Sequence, residues 1–359
     1  MTAGLMYYFT AACKPVIMQN IQQEWIPLRR EELEMASIVL GLGTSHSPQL
    51  SLPSEHWLLR GEEDQRNPSL YRVPDGQHVT FEELLAEADP RIAQELTPEV
   101  CRKRHEANQQ GIAKVAAALE RSAPDILVVL GDDQQEAFHD DNMPAFCVYW
   151  GEQVPYVPRQ RTRGTQALTA WAYPQEPRMY PGHAELALHI IDGMMEQGFD
   201  VAHSKYLREG QSITHAVTFV YARILQGKSI PVVPVMQNTY YPPNQPRPRR
   251  SYEFGIALRN AIETWKSHAR VAVLASGGFS HFVLDEELDH KALKALQDKD
   301  VDTIASLPLE RLQSGTSEIR NWFATAGAVQ HLEMEVFDYV PCYRSPAGTG
   351  CAMAFAQWS

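Results

Sequence analysis

The sequence reads IVLGLGTSHSP over residues 38–48, an apolar run that passes directly into a polar loop containing His46. The same arrangement occurs twice more, as ILVVLGDDQQE at residues 126–136 and as VAVLASGGFSH at residues 271–281. Short apolar runs bounded by turn residues are typical of strands that are buried on both faces. The sequence therefore predicts a sheet in which three strands each end in a polar loop.

The three loops are predicted to meet at one edge of the sheet. In open α/β sheets, ligands bind beyond the carboxyl ends of the strands, and loops held by a rigid sheet bring together residues that are distant in sequence. His46, the acidic and amide side chains of residues 132–136, and His281 are therefore candidates for one shared site.

Helical patterns separate the predicted strands. Apolar residues between Ile112 and Leu119 recur at i, i+3, i+4 and i+7, which predicts a helix over residues 98–122. Thr80 is the expected N-cap of a helix that begins at residue 81. Further helices are predicted at 182–198, 212–225, 251–266 and within 286–325, and further strands at 143–150, 230–235 and 347–355. Because strands alternate with helices, the predicted fold class is α/β.

Three segments lack a regular apolar pattern. Residues 1–34 differ in composition from the rest of the chain and are predicted to be a peripheral N-terminal extension, which leaves residues 35–359 as the main domain. Residues 51–80 and 151–180 are rich in proline and polar residues and are predicted to be surface loops over the sheet.

Composition excludes several classes of protein. Of the 359 residues, 44% are hydrophobic and 21% are charged, as in a globular protein. The net charge of −12 disfavours binding to nucleic acid, and no apolar run has the roughly 18 residues that a membrane helix needs. The five cysteines are scattered without a CxxC pair, which favours a reducing compartment and hence a cytoplasmic protein.

Each candidate side chain also has an ordinary structural interpretation. His46 suits an imidazole metal ligand or a base, but loop histidines are often structural. His281 follows a Gly-Gly turn that lets the backbone approach a ligand closely. The acids of residues 132–136 offer oxygen donors suited to Mg²⁺ or Mn²⁺, and they equally suit a solvated helix N-terminus. Capping or packing at a helix start is the simpler interpretation of His183 and His215, and an acid at a helix N-terminus is the simpler interpretation of Glu318.

Taken in order, these segments resemble the class III extradiol ring-cleavage dioxygenases, in particular the catalytic beta chain of protocatechuate 4,5-dioxygenase and the gallate and 3-O-methylgallate dioxygenases. The resemblance extends over residues 37–355 and implies a mixed sheet flanked by helices, with a catalytic domain at residues 35–359. The matching motifs are GTSHSP at 43–48, PGHAELA at 181–187, TH at 214–215, SGGFSH at 276–281, and the segment 314–328.

The resemblance implies an Fe(II) centre held by His46 and Glu318. The family's second metal histidine falls at Gln134, which leaves Gln134 as the implied third ligand, with Glu136 or His139 as open alternatives. A neutral amide oxygen is a weaker donor to iron than an imidazole. The two-histidine, one-carboxylate face of such enzymes is therefore altered in this chain.

The resemblance also implies roles around the substrate. His281 is the implied acid/base residue, and His215 is the implied hydrogen-bond partner of a substrate hydroxyl. His183 and Thr349 are assigned to substrate binding, although Gly348 and Thr349 stand where the protocatechuate enzyme has Ser-Asn to hold the substrate carboxylate. The implied partners are a catecholic aromatic acid and O₂, in a homo-oligomer without a recognisable alpha-type subunit.

Two other functions stay open at this stage. The first is a ligand- or partner-binding protein on the same fold that has lost its metal site, which the Gln134 substitution suggests. The second is a Mg²⁺-dependent enzyme acting on phosphates through the acids of residues 132–136. That second hypothesis is disfavoured because the sequence has no GxxxxGK[ST] loop.

Overall fold

The computed structural model describes residues 35–159 and 172–359. The predicted N-terminal extension and part of the predicted loop at 151–180 lie outside the described residues, so the prediction for residues 1–34 stays a prediction. The strands are β1 (Ser37–Thr44), β2 (Ile126–Asp132), β3 (Phe146–Tyr149), β4 (Gln153–Tyr156), β5 (Arg178–Pro181), β6 (Ala202–Ser204), β7 (Val232–Gln237), β8 (Arg270–Ser276), β9 (His281–Val283), β10 (Met334–Tyr343) and β11 (Thr349–Trp358).

Within the described part of the chain, nine strands form one mixed sheet in the order β10-β11-β1-β8-β2-β7-β3-β6, and β9 pairs with β11. The central strands β1, β8, β2 and β7 are parallel. Strand β11 runs antiparallel to β1, β9 and β10. The strands β4 and β5 form a separate antiparallel pair. This arrangement confirms the predicted α/β class and the mixed sheet.

Helices cover the sheet, and their bounds largely follow the sequence patterns. The predicted helix at residues 98–122 is observed with those bounds, and Thr80 caps its helix through a reciprocal capping box with Glu83. The helices are α1 (Pro48–Ser51), α2 (Trp57–Glu63), α3 (Phe81–Glu87), α4 (Ile92–Glu95), α5 (Pro98–Ser122), α6 (Ala184–Glu196), α7 (His215–Phe219), α8 (Pro248–Glu263), α9 (Glu286–Gln297), α10 (Val301–Ala305) and α11 (Arg320–Ala328).

One predicted helix has a different form. The sequence pattern predicted helix over residues 212–225, but α7 begins at His215 and passes after Phe219 into a π-helical segment, Val220–Leu225. A π-helical turn is wider than an α-helical turn and is often found at functional sites. His215 is consequently the first residue of a helix whose geometry changes after little more than one turn.

The sheet is buried on both faces, which explains the continuous apolar runs of its central strands. In β2, Val128 and Leu130 join one apolar layer, while Leu127 and Val129 join the other. The first layer includes residues of α6, α8 and α11, and the second includes residues of α5 and α7. No helix within the described residues is long and apolar enough to span a membrane.

Several features were not predicted from the sequence. The strands β4 and β5 form at the two ends of the segment 151–180, which was predicted to be a surface loop. Strand β10 was missed because it lies at the edge of the sheet and most of its side chains are only half-buried. The segment 51–80, predicted to be a surface loop, is anchored in the interior. Its Trp57 is fully buried, and Asp64 receives two hydrogen bonds of 2.7 and 2.8 Å from the buried Arg344.

We expect Asp64→Ala to lower the free energy of unfolding by about 3–5 kcal/mol, because it leaves the Arg344 guanidinium buried without its carboxylate partner. Urea denaturation measures the change. The control is Asp302→Ala, since Asp302 makes its ion pair with Arg249 at the surface, where such pairs contribute about 0–1 kcal/mol. Equal effects of the two substitutions would contradict the proposed anchoring.

Candidate metal centre

The sheet brings the three predicted loops together at the carboxyl ends of its parallel strands. Strands β1, β8 and β2 are parallel neighbours, and Thr44 at the end of β1 pairs with Ser276 at the end of β8. His46 follows β1 by two residues, and Asp132 is the last residue of β2. Glu318 comes from the 3₁₀ segment Ser314–Ile319. The carboxyl ends of β1 and β2 therefore position His46 and Asp132, and Glu318 reaches them from a segment outside the strands.

Four buried side chains converge at this edge: His46, Asp132, His215 and Glu318. Each offers one ligand atom, and these atoms all lie within 4.8 Å of one another. The Nε2 atoms of His46 and His215 are 2.9 Å apart, and His46 Nε2 is 3.3 Å from Glu318 Oε2. Among the described residues, this group combines two imidazoles and two carboxylates around one point.

Each imidazole also has a hydrogen-bond partner at its second ring nitrogen, Nδ1. His46 Nδ1 lies 3.0 Å from Ser276 Oγ. His215 Nδ1 lies 2.7 Å from Glu136 Oε2, and an ionised carboxylate only accepts hydrogen bonds, so His215 Nδ1 carries the proton of that bond. In the neutral ring, the lone pair of His215 Nε2 then faces His46.

The loop after β2 directs two side chains to different partners. The Asp133 carboxylate accepts hydrogen bonds from the backbone N–H groups of residues 136, 137 and 138. Gln135 has a left-handed backbone conformation, with φ of 56°. Gln134 consequently reaches Glu318, where its Nε2 donates to Oε1 at 2.9 Å. Glu136 instead contacts His215 Nδ1.

These contacts place the sequence-predicted metal residues. His46 and Glu318 lie together in the cluster, and Gln134 lies at its edge with its amide nitrogen against Glu318. Glu136 accepts hydrogen bonds from His215. His139, the other open alternative, is not part of the four-residue group found among the described residues.

His281 lies beside the cluster. Its Nε2 is 3.3 Å from Glu318 Oε1, and its Nδ1 is 2.7 Å from the carbonyl oxygen of Phe279. The ring packs directly over Gly315, where an added Cβ would lie only 2.0 Å from His281 Cδ2. A glycine is required at that position for the ring to approach Glu318.

Two predicted substrate-binding residues are not in the cluster. His183 caps α6 by accepting a hydrogen bond from the Leu186 N–H, and its ring packs on Trp265. The neighbouring Gly182 forms a bridge with Val232, the first residue of β7. His183 therefore lies near the amino ends of the parallel strands, whereas the cluster lies at their carboxyl ends. The Thr349 hydroxyl is fully buried and donates to Asp64 at 2.5 Å.

The polar groups that support the cluster were not predicted from the sequence. Gln237 Nε2 donates to Asn321 Oδ1 at 2.8 Å, and Asn321 Nδ2 lies 3.4 Å from Asp132 Oδ1. Gln237 is the residue that pairs with Asp132 across β2 and β7. A polar residue at the end of a buried strand was the available signal, but its partner Asn321 comes from a distant helix.

Burial and mutual attraction shift the pKa values of these groups. Burial disfavours charge on His215 and His281, but the Glu136 carboxylate beside His215 and the Glu318 carboxylate beside His281 outweigh it and raise the pKa of each imidazole to about 9. Burial lowers the pKa of His46 despite the nearby Glu318. Burial and the Glu318 charge raise the pKa of Asp132 to about 8.

The donor set fits a transition-metal ion. Imidazole nitrogens combined with carboxylate oxygens are typical ligands of Fe²⁺, Mn²⁺ and Zn²⁺. Asp132 Oδ2 is buried without a hydrogen-bond partner and lies 4.0 Å from His215 Nε2. An unpartnered buried carboxylate oxygen is costly, and a cation at the centre of the cluster would compensate it.

Comparison with known proteins gives an independent finding. A family model described as "Catalytic LigB subunit of aromatic ring-opening dioxygenase" matches residues 90–349. The 2,3-dihydroxyphenylpropionate/2,3-dihydroxicinnamic acid 1,2-dioxygenase of Comamonas testosteroni is 27% identical over 177 residues, 49% of each chain. The gallate dioxygenase of Pseudomonas putida is 33% identical over 116 residues, 31% of this chain and 33% of that one. The chain thus spans no more than about half the length of these curated relatives.

We expect the metal-free protein to lose stability as the pH rises from about 6.5 to 9. His215 and His281 have folded pKa values of about 9 against an ordinary value of 6.5, and Asp132 has a folded value of about 8 against 3.8. The folded state therefore binds more protons than the unfolded state over this range, and the free energy of unfolding falls with pH.

Urea denaturation at several pH values measures this loss, which we expect to total at least about 2 kcal/mol, since each excess proton contributes about 1.4 kcal/mol per pH unit. The control is His290→Ala, an exposed histidine of α9, which should leave the pH dependence unchanged. A free energy of unfolding that is constant or rises over this range would contradict the expectation.

Proposed function

Because the chain belongs to the family of catalytic LigB subunits of aromatic ring-opening dioxygenases, we propose that it is a non-haem Fe(II)-dependent extradiol dioxygenase that cleaves the ring of a catecholic aromatic acid with O₂. The observation that carries this proposal is the buried convergence of His46, His215 and Glu318 at the carboxyl ends of β1, β2 and β8. Two imidazoles and one carboxylate are the donors used by non-haem Fe(II) oxygenases.

His46 and Glu318 would hold the metal in this proposal. When bound, Fe(II) would supply a Lewis acid that lowers the pKa of the substrate hydroxyls, together with open positions for the substrate and O₂. Glu318 is kept ionised by His281 and His46, which outweigh its burial and hold its pKa well below the usual range. The Gly278 N–H and the Gln134 amide fix the orientation of the carboxylate.

His281 is the proposed acid and base. Its Nδ1 is committed to the Phe279 carbonyl, so Nε2 is the atom that can exchange a proton near the cluster. The backbone of His281 is held on both sides by Thr316, whose hydroxyl accepts from the N–H at 3.1 Å and donates to the carbonyl at 3.0 Å. This bracing keeps the imidazole in place while a hydroxyl proton is removed and later returned.

The names of the relatives support the proposed substrate class. Their names include gallate and 2,3-dihydroxyphenylpropionate, which each combine at least two adjacent ring hydroxyls with a carboxylate. Thr349 does not serve the carboxylate in this proposal, because its hydroxyl is taken by Asp64. We therefore propose a catecholic acid whose carboxylate is held by other groups, a class that includes protocatechuate, gallate and 3-O-methylgallate.

One observation favours a second candidate function. Gln134 stands where the resembling enzymes have a metal histidine, and its amide nitrogen faces Glu318. A protein of this fold without a working metal site would bind a ligand or partner without consuming O₂. Metal content and O₂ consumption distinguish the two candidates.

The first test is O₂ uptake by protein loaded with Fe(II) under anaerobic conditions, measured with protocatechuate, gallate, 3-O-methylgallate and 2,3-dihydroxyphenylpropionate. We expect uptake with at least one compound, a new absorbance from the ring-opened product, and loss of both in His46→Ala. Protein that retains no iron and consumes no O₂ with any compound would support the binding-protein alternative.

A second test addresses His281. We expect His281→Ala to lower kcat roughly 10²–10⁴-fold while the iron content stays unchanged, because the substitution removes a proton-transfer group and leaves the proposed ligands in place. His290→Ala is the matched histidine control and should retain full activity. Near-normal turnover in His281→Ala would remove His281 from the acid/base role.

A further inference from the structure

We propose that His215 is the second imidazole ligand of the metal, that Glu136 is the positioning residue that orients it, and that Gln134 supports Glu318 without itself binding the metal. This inference rests on the proposed metal-dependent function. It replaces the hydrogen-bonding role that the sequence resemblance implied for His215. It also replaces the ligand role that the resemblance implied for Gln134.

The separations of the donor atoms support His215 as a ligand. Two ligands at right angles on a metal, each about 2.1 Å away, are about 3.0 Å apart, and in a tetrahedral arrangement they are about 3.4 Å apart. His46 Nε2 and His215 Nε2 are separated by 2.9 Å, and His46 Nε2 and Glu318 Oε2 by 3.3 Å. Both separations are those of neighbouring ligands of one ion, and the ligand atoms of His215 and Glu318 lie within 4.8 Å of one another.

Glu136 orients His215 as carboxylates orient metal-binding histidines. Its Oε2 accepts from His215 Nδ1 at 2.7 Å and from the His215 backbone N–H at 2.8 Å. Its Oε1 accepts from the Tyr173 hydroxyl at 2.5 Å and from Arg159 Nη1 at 2.6 Å. Both oxygens of Glu136 therefore accept hydrogen bonds, which holds a proton of His215 on Nδ1 and turns Nε2 toward His46 and the proposed metal position.

The Gln134 amide presents a hydrogen-bond donor toward the cluster, whereas a metal ligand must present a lone pair. Glu318 is ionised and accepts hydrogen bonds only, so the atom of the Gln134 amide that faces it at 2.9 Å is the nitrogen donor. The amide holds Oε1 of Glu318, while Oε2 is held by the Gly278 N–H and points to His46. Gln134 thereby leaves one carboxylate oxygen directed at the metal position.

Pulsed electron paramagnetic resonance of the Cu(II)-loaded protein tests the proposal, because it counts coordinated imidazoles without substrate or O₂. We expect two imidazoles in the unaltered protein and in Gln134→Ala, and one in His215→Gln. His290→Ala is the control and should show two. Two imidazoles in His215→Gln, or fewer than two in Gln134→Ala, would overturn the ligand assignment.

The role of Glu136 has a separate readout. We expect Glu136→Gln to keep two coordinated imidazoles but to weaken Cu(II) affinity about 10–100-fold, the usual effect of removing a group that orients a ligand. Unchanged affinity would remove Glu136 from the positioning role. Circular dichroism checks that each variant folds. If His215→Gln does not fold, the coordinated imidazoles are counted in His215→Asn instead.

These measurements separate the ligand assignment from the proposed function. A fall from two imidazoles to one in His215→Gln supports the assignment even if no catechol stimulates O₂ uptake, in which case only the proposed function fails. Conversely, O₂ uptake by the unaltered protein, together with two imidazoles in His215→Gln, would leave the function standing and overturn the assignment.

Discussion

The buried negative charge of Glu318 is the constraint around which this edge of the molecule is organised. Its side chain is 1% exposed, and a buried carboxylate without partners costs several kcal/mol. The fold supplies partners from separate segments: His46 after β1, Gln134 after β2, and the Gly278 N–H and His281 after β8. Parallel neighbouring strands are what allow these loops to reach one carboxylate together.

The sequence predicts those parts of the fold whose cause is local. The helix α5 and the strand β2 follow from periodicity, and the convergence of His46 with the loop after β2 follows from the geometry of parallel strands. The position of His183 could not be predicted from the sequence, because a helix-start motif does not reveal whether it lies at the amino or the carboxyl ends of the strands. The support of His215 by Glu136 was also hidden, since 79 residues separate them.

The positions of Gln134 and His215 show that a candidate metal site is better defined by the atoms that meet in space than by matching sequence positions. At the position where the resemblance implies a metal histidine the chain has an amide, and the resemblance alone indicates a weakened metal site. In the structure, an imidazole nitrogen from α7 lies 2.9 Å from His46 Nε2, and the amide contacts the carboxylate of Glu318. The same kinds of donor are present, but they are contributed by different segments of the chain.

The π-helical segment that follows α7 connects His215 to buried residues further along the helix. Ile224 lies in that segment and is buried in the apolar layer, so the far end of the helix is anchored. Each residue of an α-helix turns the chain by about 100°, and a π-helical turn accommodates one residue more than an α-helical turn. Deleting one residue between Phe219 and Ile224 would therefore rotate His215 by roughly a quarter turn relative to its anchor. The length of this short segment therefore contributes, together with Glu136, to the direction of the imidazole, although none of its residues belongs to the cluster.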